Sequence, residues 1–359
     1  MIRWGNNQDR HMDNPSDSAM KVLVIGCGSI GTRHISNLQD RADVTTVIGC
    51  DMEDAAAEQA HQEHGIWTTT NLDAAWDQAP DAVFVCTPPD SHVSLATAAI
   101  DHGAHVFIEK PLSNSVEAAS KFVKRASTTD VTVMVGCNMR FHPPVARINE
   151  WLSEDAIGRV ERFRLRYGNR LSNWRSGNYE EYYSTDPDKG GGVILDAIHE
   201  IDIALEWLVA PDELQCVAGQ YGDLELPVED TAEVIIEGES QLGIVELDYL
   251  RHQRARTYEL IGTNGLIEWT ARGKDPEKST LEMYTTDDDS WTRETYELTL
   301  NEMYISEIQH FIDCIQEDEP PLVDERKGRD ALTAAVTAKT AADSGCQQCL
   351  DVDDYMNSQ

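Results

Sequence analysis

The chain has 359 residues, 41% of them hydrophobic, and its 64 acidic side chains outnumber its 29 basic ones to give a formal net charge of −35. A surface of this sign repels nucleic acids and anionic membranes, so neither is an expected partner. No apolar run approaches the length of a membrane span and no cleavable signal pattern opens the chain, which predicts a cytoplasmic protein. Its length predicts two domains with ample core.

The acidic residues are spread through both halves of the chain, in clusters no longer than short runs such as Asp287-Asp288-Asp289. At high salt, counterions screen the mutual repulsion of these charges, whereas dilute buffer leaves the repulsion in place. We therefore interpret the composition as an adaptation to a halophilic cytoplasm.

The eight cysteines are not expected to form a disulfide framework in a chain of this size. Several lie at or just beyond the ends of predicted strands, where buried and reduced cysteines are common. Cys346 and Cys349 form a single CxxC pair, without a second pair or a nearby histidine, so no metal site is predicted there.

The first predicted strand, Lys21 to Ile25, leads into a glycine-rich turn and then a helix from Thr32 to Leu38. Residues 1–19, ahead of it, are polar and aperiodic, which predicts a disordered extension, and Met20 is a possible true start. The turn has the pattern GxGxxG between a strand and a helix, the context in which these glycines hold a pyrophosphate at the helix amino terminus. A purely structural glycine turn is the alternative. The turn consists of Gly26, Cys27, Gly28, Ser29, Ile30 and Gly31.

The second predicted strand, Val44 to Cys50, ends at Asp51, twenty residues after the last glycine of the turn. An acid at this place accepts hydrogen bonds from the hydroxyls of the adenosine ribose. Glu53 and Asp54 follow, and no nearby arginine would balance a 2′-phosphate. The sequence therefore predicts NAD as the cofactor in preference to NADP.

Strands and helices go on alternating to about residue 140, which predicts a doubly wound parallel sheet, a Rossmann domain, over residues 20–140. Thr87-Pro88 lies where a strand passes into a helix, and such backbone commonly lines the nicotinamide side of the crevice. A further strand, His105 to Ile108, runs into Glu109-Lys110-Pro111. A lysine at the carboxyl end of a parallel strand can donate to a substrate hydroxyl, although a solvated charge pair is the alternative on these three residues alone.

Beyond residue 140 the pattern predicts an α+β domain over residues 141–345 with a large, mostly antiparallel open sheet, followed by an acidic tail over residues 346–359. The exposed face of the sheet predicts a homodimer or homotetramer. Helices Met303 to Ile315 and Arg329 to Ala342 are predicted to return toward the first domain.

Three glycines, Gly190 to Gly192, precede a predicted helix from Val193 to Val209 that carries Asp196 and His199 three residues apart. On one helix these two side chains are neighbours, and a histidine beside a carboxylate is a plausible general base. A metal site is a weaker alternative, because the glycine run and the dinucleotide domain favour metal-free chemistry. An amphipathic helix with solvated acids is a third interpretation, and it explains the glycines poorly.

These motifs, together with Gly136 to Pro143, resemble the glucose-fructose oxidoreductase, inositol dehydrogenase and MocA family over residues 20 to about 345. The resemblance implies NAD(P)-dependent hydride transfer at a carbinol carbon of a sugar, nucleotide sugar or cyclitol. It implies that Lys110, Asp196 and His199 are catalytic. Many relatives place the histidine four residues after the aspartate, whereas here the step is three, and this leaves open whether His199 or Lys110 accepts the proton.

Further site residues are expected around these motifs. For the cofactor they are Cys86, Thr87, Pro88, His92, Glu109, Lys110 and Asn138, in addition to the glycine turn and Asp51. For the substrate they are Arg140 and Trp174, together with the three catalytic residues, although Arg140 could equally be a structural ion-pair partner. A non-catalytic NAD and sugar sensor and an NAD-recycling glycosidase remain alternatives, and the sequence does not select the sugar, the oxidised carbon or the physiological direction.

Overall fold

A computed structural model describes residues 19–173 and 182–352. The first domain is a six-stranded parallel sheet in the order β3-β2-β1-β4-β5-β6, with helices between the strands. Its strands are β1 (Met20–Ile25), β2 (Val44–Cys50), β3 (Trp67–Thr69), β4 (Ala82–Val85), β5 (His105–Glu109) and β6 (Val133–Gly136). Its helices are α1 (Ser29–Gln39), α2 (Asp54–His64), α3 (Leu72–Trp76), α4 (Pro89–Asp101) and α5 (Val116–Ala126).

The central strands of this sheet are covered by helices on both faces, which is why they are apolar throughout rather than alternating. Every residue of β4 is buried, and so are Val106 to Glu109 of β5. The sheet is the predicted doubly wound Rossmann fold, and the carboxyl ends of β1, β4 and β5 meet along one edge. This edge is where an open α/β sheet binds its ligand.

The second domain is built on a nine-stranded sheet in the order β14-β13-β12-β11-β7-β10-β9-β8-β15, in which only β7 and β10 pair in parallel. Its strands are β7 (Val160–Gly168), β8 (Glu213–Gly219), β9 (Thr231–Gly238), β10 (Gln241–Asp248), β11 (Ala255–Gly262), β12 (Gly265–Arg272), β13 (Glu277–Thr285), β14 (Ser290–Leu298) and β15 (Gln348–Cys349). The helices of this part of the chain are α6 (Pro143–Ser153), α7 (Val193–Asp196), α8 (Ile198–Trp207), α9 (Asn301–Glu317) and α10 (Glu325–Ser344). The expectation of a large, mostly antiparallel sheet is confirmed.

One face of the second sheet is covered and the other is open, as the alternation along β7 shows. Phe163 and Leu165 are buried, whereas Arg164 and Arg166 between them are partly exposed. Both arginines form ion pairs with Glu246 of the neighbouring strand β10. The open face is therefore polar and cross-linked by charge pairs.

The two carboxyl-terminal helices return to the first domain, as the sequence predicts. The amide of Val135, in the edge strand β6, donates to the carbonyl of Val323 at 2.9 Å. A Cβ on Gly328 of α10 would lie 2.6 Å from a methyl of Val135, so glycine is needed for this close approach. The segment from residue 323 to residue 328 thus closes the outer edge of the Rossmann sheet.

Two sequence predictions about elements are corrected by the structure. The helix predicted from Val193 to Val209 is interrupted at Ala197 (φ −98°, ψ 34°), so Asp196 ends α7 while His199 lies in α8. Within the predicted acidic tail, β15 pairs with β8 and Leu350 is buried, because this segment still has an edge strand to extend. Residues 1–18 and 353–359 lie outside the described residues. The sequence patterns did not predict strands β3, β8 and β14.

No helix in the described parts of the chain is both long enough and apolar enough to cross a membrane.

Candidate active site

A cavity of about 410 Å³ lies at the carboxyl edge of the Rossmann sheet and extends to the covered face of the second sheet. Both domains contribute to its wall. The first domain provides Gly28, Ser29, Ile30, Arg33, Cys86, Thr87, Pro88, Pro89, Glu109, Lys110, Asn138 and Met139. The rest of the chain provides Tyr167, Asn169, Asp196, Ala197, His199, Arg254, Arg256, Lys274, Leu300, Met303 and Tyr304.

The glycine turn has the geometry that a dinucleotide needs. Gly26 has a φ of +96°, and a Cβ on Gly31 would lie 1.8 Å from the carbonyl oxygen of Gly26, so both positions require glycine. Gly28 lies in the cavity wall, and a Cβ there would meet no protein atom within 4 Å. The space above Gly28 is thus open to a phosphate at the amino terminus of α1, and the residues fit the cofactor.

Asp51 lies at the end of β2 and holds the glycine turn in place. Its Oδ2 accepts a hydrogen bond from the amide of Cys27 at 2.7 Å, and its Oδ1 accepts one from the amide of Glu53 at 2.9 Å. Each carboxylate oxygen can accept a second hydrogen bond, so the group still has acceptor capacity for ribose hydroxyls. Asp51 and Cys27 are not part of the cavity wall described above.

Glu109, at the end of β5, is held in position by a buried histidine and by the backbone of Lys110. Its Oε1 lies 2.7 Å from Nε2 of His34, which is fully buried on α1, and its Oε2 accepts from the amide of Lys110 at 3.3 Å. The carboxylate thereby links the helix that follows the glycine turn to the backbone of Lys110.

His92, which was expected to bind the cofactor, is not among the residues that line the cavity. The side chain is 1% exposed, with Nδ1 2.8 Å from the carbonyl oxygen of Pro111 and Nε2 2.6 Å from that of Thr87. Both ring nitrogens therefore face backbone carbonyls rather than a ligand. Burial lowers the pKa of His92, against the effect of the two carbonyl contacts. The ring thus links the backbone at Thr87, after β4, to the backbone at Pro111, after β5.

Lys110 projects from the end of β5 onto Asp196 of α7. Its Nζ donates to the carbonyl oxygen of Asp196 at 2.6 Å and lies 3.3 Å from Oδ1 of the same residue. The other carboxylate oxygen, Oδ2, accepts from the hydroxyl of Tyr249 at 3.0 Å. Asp196 is 5% exposed, so this is a mostly buried charge pair. Asp196 orients the ammonium of Lys110, and a cation held in this way is suited to donate to a substrate oxygen.

His199 lies in the same wall, but its electrostatic neighbours differ from those expected. Burial lowers its pKa well below the usual histidine value, and the positive charges of Lys110 and Arg256 lower it further. Its Nδ1 has no hydrogen-bond partner among the described residues. The imidazole is therefore neutral near pH 7 and able to accept a proton. The predicted His–carboxylate pair does not form because the break at Ala197 separates the two side chains.

Arg256 supplies one of these charges from β11. Its Nε lies 2.6 Å from Oε1 of Glu200, and its guanidinium lies over the ring of Tyr167, 4.2 Å from the ring centre. Glu200 also accepts from the hydroxyl of Tyr258 at 3.2 Å. This buried set fixes the strand residues that form the floor of the cavity on the second domain.

Arg140, for which the sequence left open a substrate contact or a structural ion pair, forms buried ion pairs and is not in the cavity wall. It is 2% exposed, and its Nε and Nη2 lie 2.6 and 2.8 Å from the two carboxylate oxygens of Asp202. Glu206 pairs with the same guanidinium. A guanidinium surrounded in this way faces α8 and not the cavity. Trp174 lies outside the described residues.

Sequence analysis missed most of the wall that the second domain provides. Tyr167, Asn169, Arg254 and Arg256 belong to β7 and β11 or to the residues directly beside them, and no motif marks them. The period-two alternation of a strand predicts which residues share a face, but not that this face meets a cavity. Tyr304 of α9 could have been suspected from the prediction that this helix returns to the first domain.

The crevice has a glycine turn suited to a dinucleotide on one side, and a lysine and a neutral histidine on the other. This combination is that of a nicotinamide-dependent oxidoreductase. Residues 20–137 match the model of the oxidoreductase family with an NAD-binding Rossmann fold, and residues 145–268 match that of the GFO/IDH/MocA C-terminal domain. Together these stretches make up more than half of the chain. The protein belongs to the Gfo/Idh/MocA oxidoreductase family, and NAD is its cofactor.

Its relatives include named dehydrogenases. The chain is 27% identical to scyllo-inositol 2-dehydrogenase (NAD⁺) of Bacillus subtilis, covering 82% of this chain and 86% of the relative. It is 25% identical to D-xylose 1-dehydrogenase (NADP⁺) 2 of Haloferax volcanii, covering 91% of this chain and 99% of the relative. Its fold matches a levoglucosan dehydrogenase solved in complex with NADH, with a TM-score of 0.83, 20% identity and coverage of 93% and 100%.

Proposed function

We propose that this protein is a dehydrogenase that transfers a hydride between NAD and a carbinol carbon of a sugar, nucleotide sugar or cyclitol. The observation that carries the proposal is the presence of Lys110 and His199 in the wall of the cavity that begins at Gly28. The names of the relatives, which act on inositols and xylose, support the substrate class.

In this proposal His199 and Lys110 have different roles in removing the proton of the substrate hydroxyl. Bound NAD supplies the hydride acceptor, C4 of its nicotinamide ring. His199, neutral because of burial and of its cationic neighbours, accepts the hydroxyl proton. Lys110, oriented by Asp196, donates a hydrogen bond to the same oxygen and stabilises the negative charge that develops there. The lowered pKa of His199 keeps it in the accepting form below the usual histidine range.

Replacement of the two residues separately tests this function. Lys110→Met and His199→Asn should each reduce kcat by about 100-fold or more, in line with the contributions of electrostatic and acid-base catalysis. NADH affinity should change little, because the glycine turn and Asp51 are untouched. NADH formation would be followed with a panel of sugars, nucleotide sugars and cyclitols at molar salt.

Matched controls are Lys121→Met, an exposed lysine paired with Glu117, and His102→Asn, an exposed histidine. Wild-type turnover in both active-site variants would reject their roles. If no compound is oxidised but a sugar shifts the affinity for NADH, the protein is a sensor. If bound cofactor is recycled without net NADH release, it is an NAD-recycling glycosidase.

The pH dependence distinguishes His199 from Lys110 as the proton acceptor. With His199 as acceptor, kcat/KM for oxidation should hold its plateau below pH 6.5, the usual histidine value, and fall only at lower pH. The reason is that a lowered pKa moves protonation of the imidazole to more acidic conditions. If kcat/KM of His199→Asn falls at low pH in the same way as that of the wild type, a group other than His199 is the proton acceptor.

We also propose that the chain forms a homo-oligomer through the open face of the second sheet. Arg164, Arg166 and Glu246 on that face support this, because their charges can exchange partners across two copies. Light scattering at molar salt measures the assembly, and a monomer at micromolar concentration contradicts it.

A further inference from the structure

Cations outnumber acids in the wall of the cavity, although acids outnumber cations in the chain as a whole. The whole chain has 64 acidic and 29 basic side chains, whereas the cavity wall contains five cations and two acids. The acids are Glu109 and Asp196. The cations are Arg33, Lys110, Arg254, Arg256 and Lys274. An excess of positive charge inside an acidic protein favours an anionic ligand at this place.

Lys110, Arg254 and Arg256 are each held by a carboxylate in the buried surroundings of the cavity. Lys110 contacts Asp196 and Arg256 contacts Glu200, as described above. Arg254 pairs with Glu277, which is fully buried, and also donates to the carbonyl oxygen of Gly273 at 2.8 Å. Arg254 thereby fixes the base of the hairpin loop between β12 and β13.

The other two cations lie at the cofactor end. Arg33 is on α1, one turn after Ser29, and its guanidinium lies 4.6 Å from the ring centre of Tyr304 on α9. Lys274 is in the β12–β13 loop of the second domain. Both residues, like Ser29, line the cavity and also an adjoining groove along α1. The two side chains therefore border the glycine turn from different domains.

We propose that Lys274 and Arg33 bind the pyrophosphate of the dinucleotide, so that the cofactor is clamped between the two domains. The glycine turn presents amide groups to one side of the pyrophosphate, and the two cations neutralise its charge from the other. The open space above Gly28 lies at this end of the cavity, and a phosphate is an anion that the amino terminus of a helix such as α1 binds. The inference rests on the proposed NAD-dependent function and adds a residue of the second domain to the cofactor site.

Ligand fragments separate a phosphate contact from other roles. The affinity of the full chain for NADH, for ADP-ribose, which has both phosphates, and for adenosine, which has none, would be measured by fluorescence titration and competition. Lys274→Met should weaken NADH and ADP-ribose by about tenfold or more and leave adenosine unchanged, as expected for the loss of a charged hydrogen bond. Arg33→Met should have the same selectivity. Lys274→Arg, which keeps the charge, should retain most of the affinity.

The matched control is Lys278→Met, four residues farther along, where the side chain is exposed on β13 and faces Glu297. It should bind all three ligands as the wild type does. The melting temperature of each variant shows whether it is folded. If Lys274→Met does not fold, the affinities of Lys274→Arg for the three ligands test the proposal in its place. Unchanged ADP-ribose affinity in Lys274→Met overturns the proposal. An unchanged NADH affinity with a raised KM for the sugar also overturns it and assigns Lys274 to an anionic substrate. Failure of the wild type to bind NADH would instead reject the proposed function.

Discussion

At the scale of single residues, the carboxylate that holds the charge of Lys110 is not a partner of the histidine proposed to accept the proton. Asp196 is committed to Lys110 and Tyr249, so it does not raise the basicity of His199. The motif residues Lys110, Asp196 and His199 could all be located from the sequence. Their pairing could not, because a one-residue interruption at Ala197 decides which side chains face each other.

Asp51 should determine the choice between NAD and NADP. A 2′-phosphate would approach its carboxylate, whereas ribose hydroxyls can donate to it, so wild-type protein should prefer NAD at matched ionic strength. Asp51→Ala should weaken NAD binding by roughly 1 to 3 kcal/mol, the range for hydrogen bonds to a charged group. Isothermal titration with both cofactors measures this, with exposed Asp343→Asn as the control. Tighter binding of NADP by the wild type would contradict the prediction.

At the scale of elements, the returning helices α9 and α10 make the Rossmann domain depend on the end of the chain. Their existence and their general direction were predictable from apolar periodicity. The side chains that these helices bury were not predictable. Helix α9 places Glu307 in the interior, where it is fully buried and neither carboxylate oxygen has a hydrogen-bond partner among the described residues. Burial and the nearby charge of Glu109 raise the pKa of Glu307 well above its usual value.

Glu307 should make stability depend on pH. In the unfolded chain this carboxyl ionises above its ordinary pKa of 4.5, whereas in the folded protein it stays protonated, so the free energy of unfolding should fall as pH rises from 4.5 toward the folded pKa. Glu307→Gln keeps the shape without the titration. It should raise the melting temperature at pH 8 relative to the wild type and change it little at pH 4.5. Glu317→Gln, exposed on the same helix, is the control. Equal shifts at both pH values would show that Glu307 does not titrate in this range.

At the scale of the whole molecule, the two-domain architecture and the mostly antiparallel second sheet followed from the order of strand and helix patterns. The cavity wall on the second domain did not, because it forms only where surfaces of the two domains meet. The acidic excess is a property of the whole surface, independent of either fold.

Salt should stabilise the protein as a whole. With a formal net charge of −35, the folded surface repels itself, and counterions reduce that repulsion. The melting temperature should therefore rise markedly between dilute buffer and molar potassium chloride. Differential scanning calorimetry over that range measures the shift, with sucrose of equal osmolality as the control. A flat or falling melting temperature would contradict adaptation to high salt.

The contact between Val135 and the segment around Val323 has a consequence for synthesis of the protein. All six strands of the Rossmann sheet leave the ribosome before the residues that pair with the outer edge of β6 and fill the space beside Val135. Until those residues emerge, the nascent domain has an unpaired strand edge and an uncovered apolar surface, the features that promote association between unfinished chains. The first domain is thus begun before the strands β7 to β14 of the second domain are synthesised and is completed only after them.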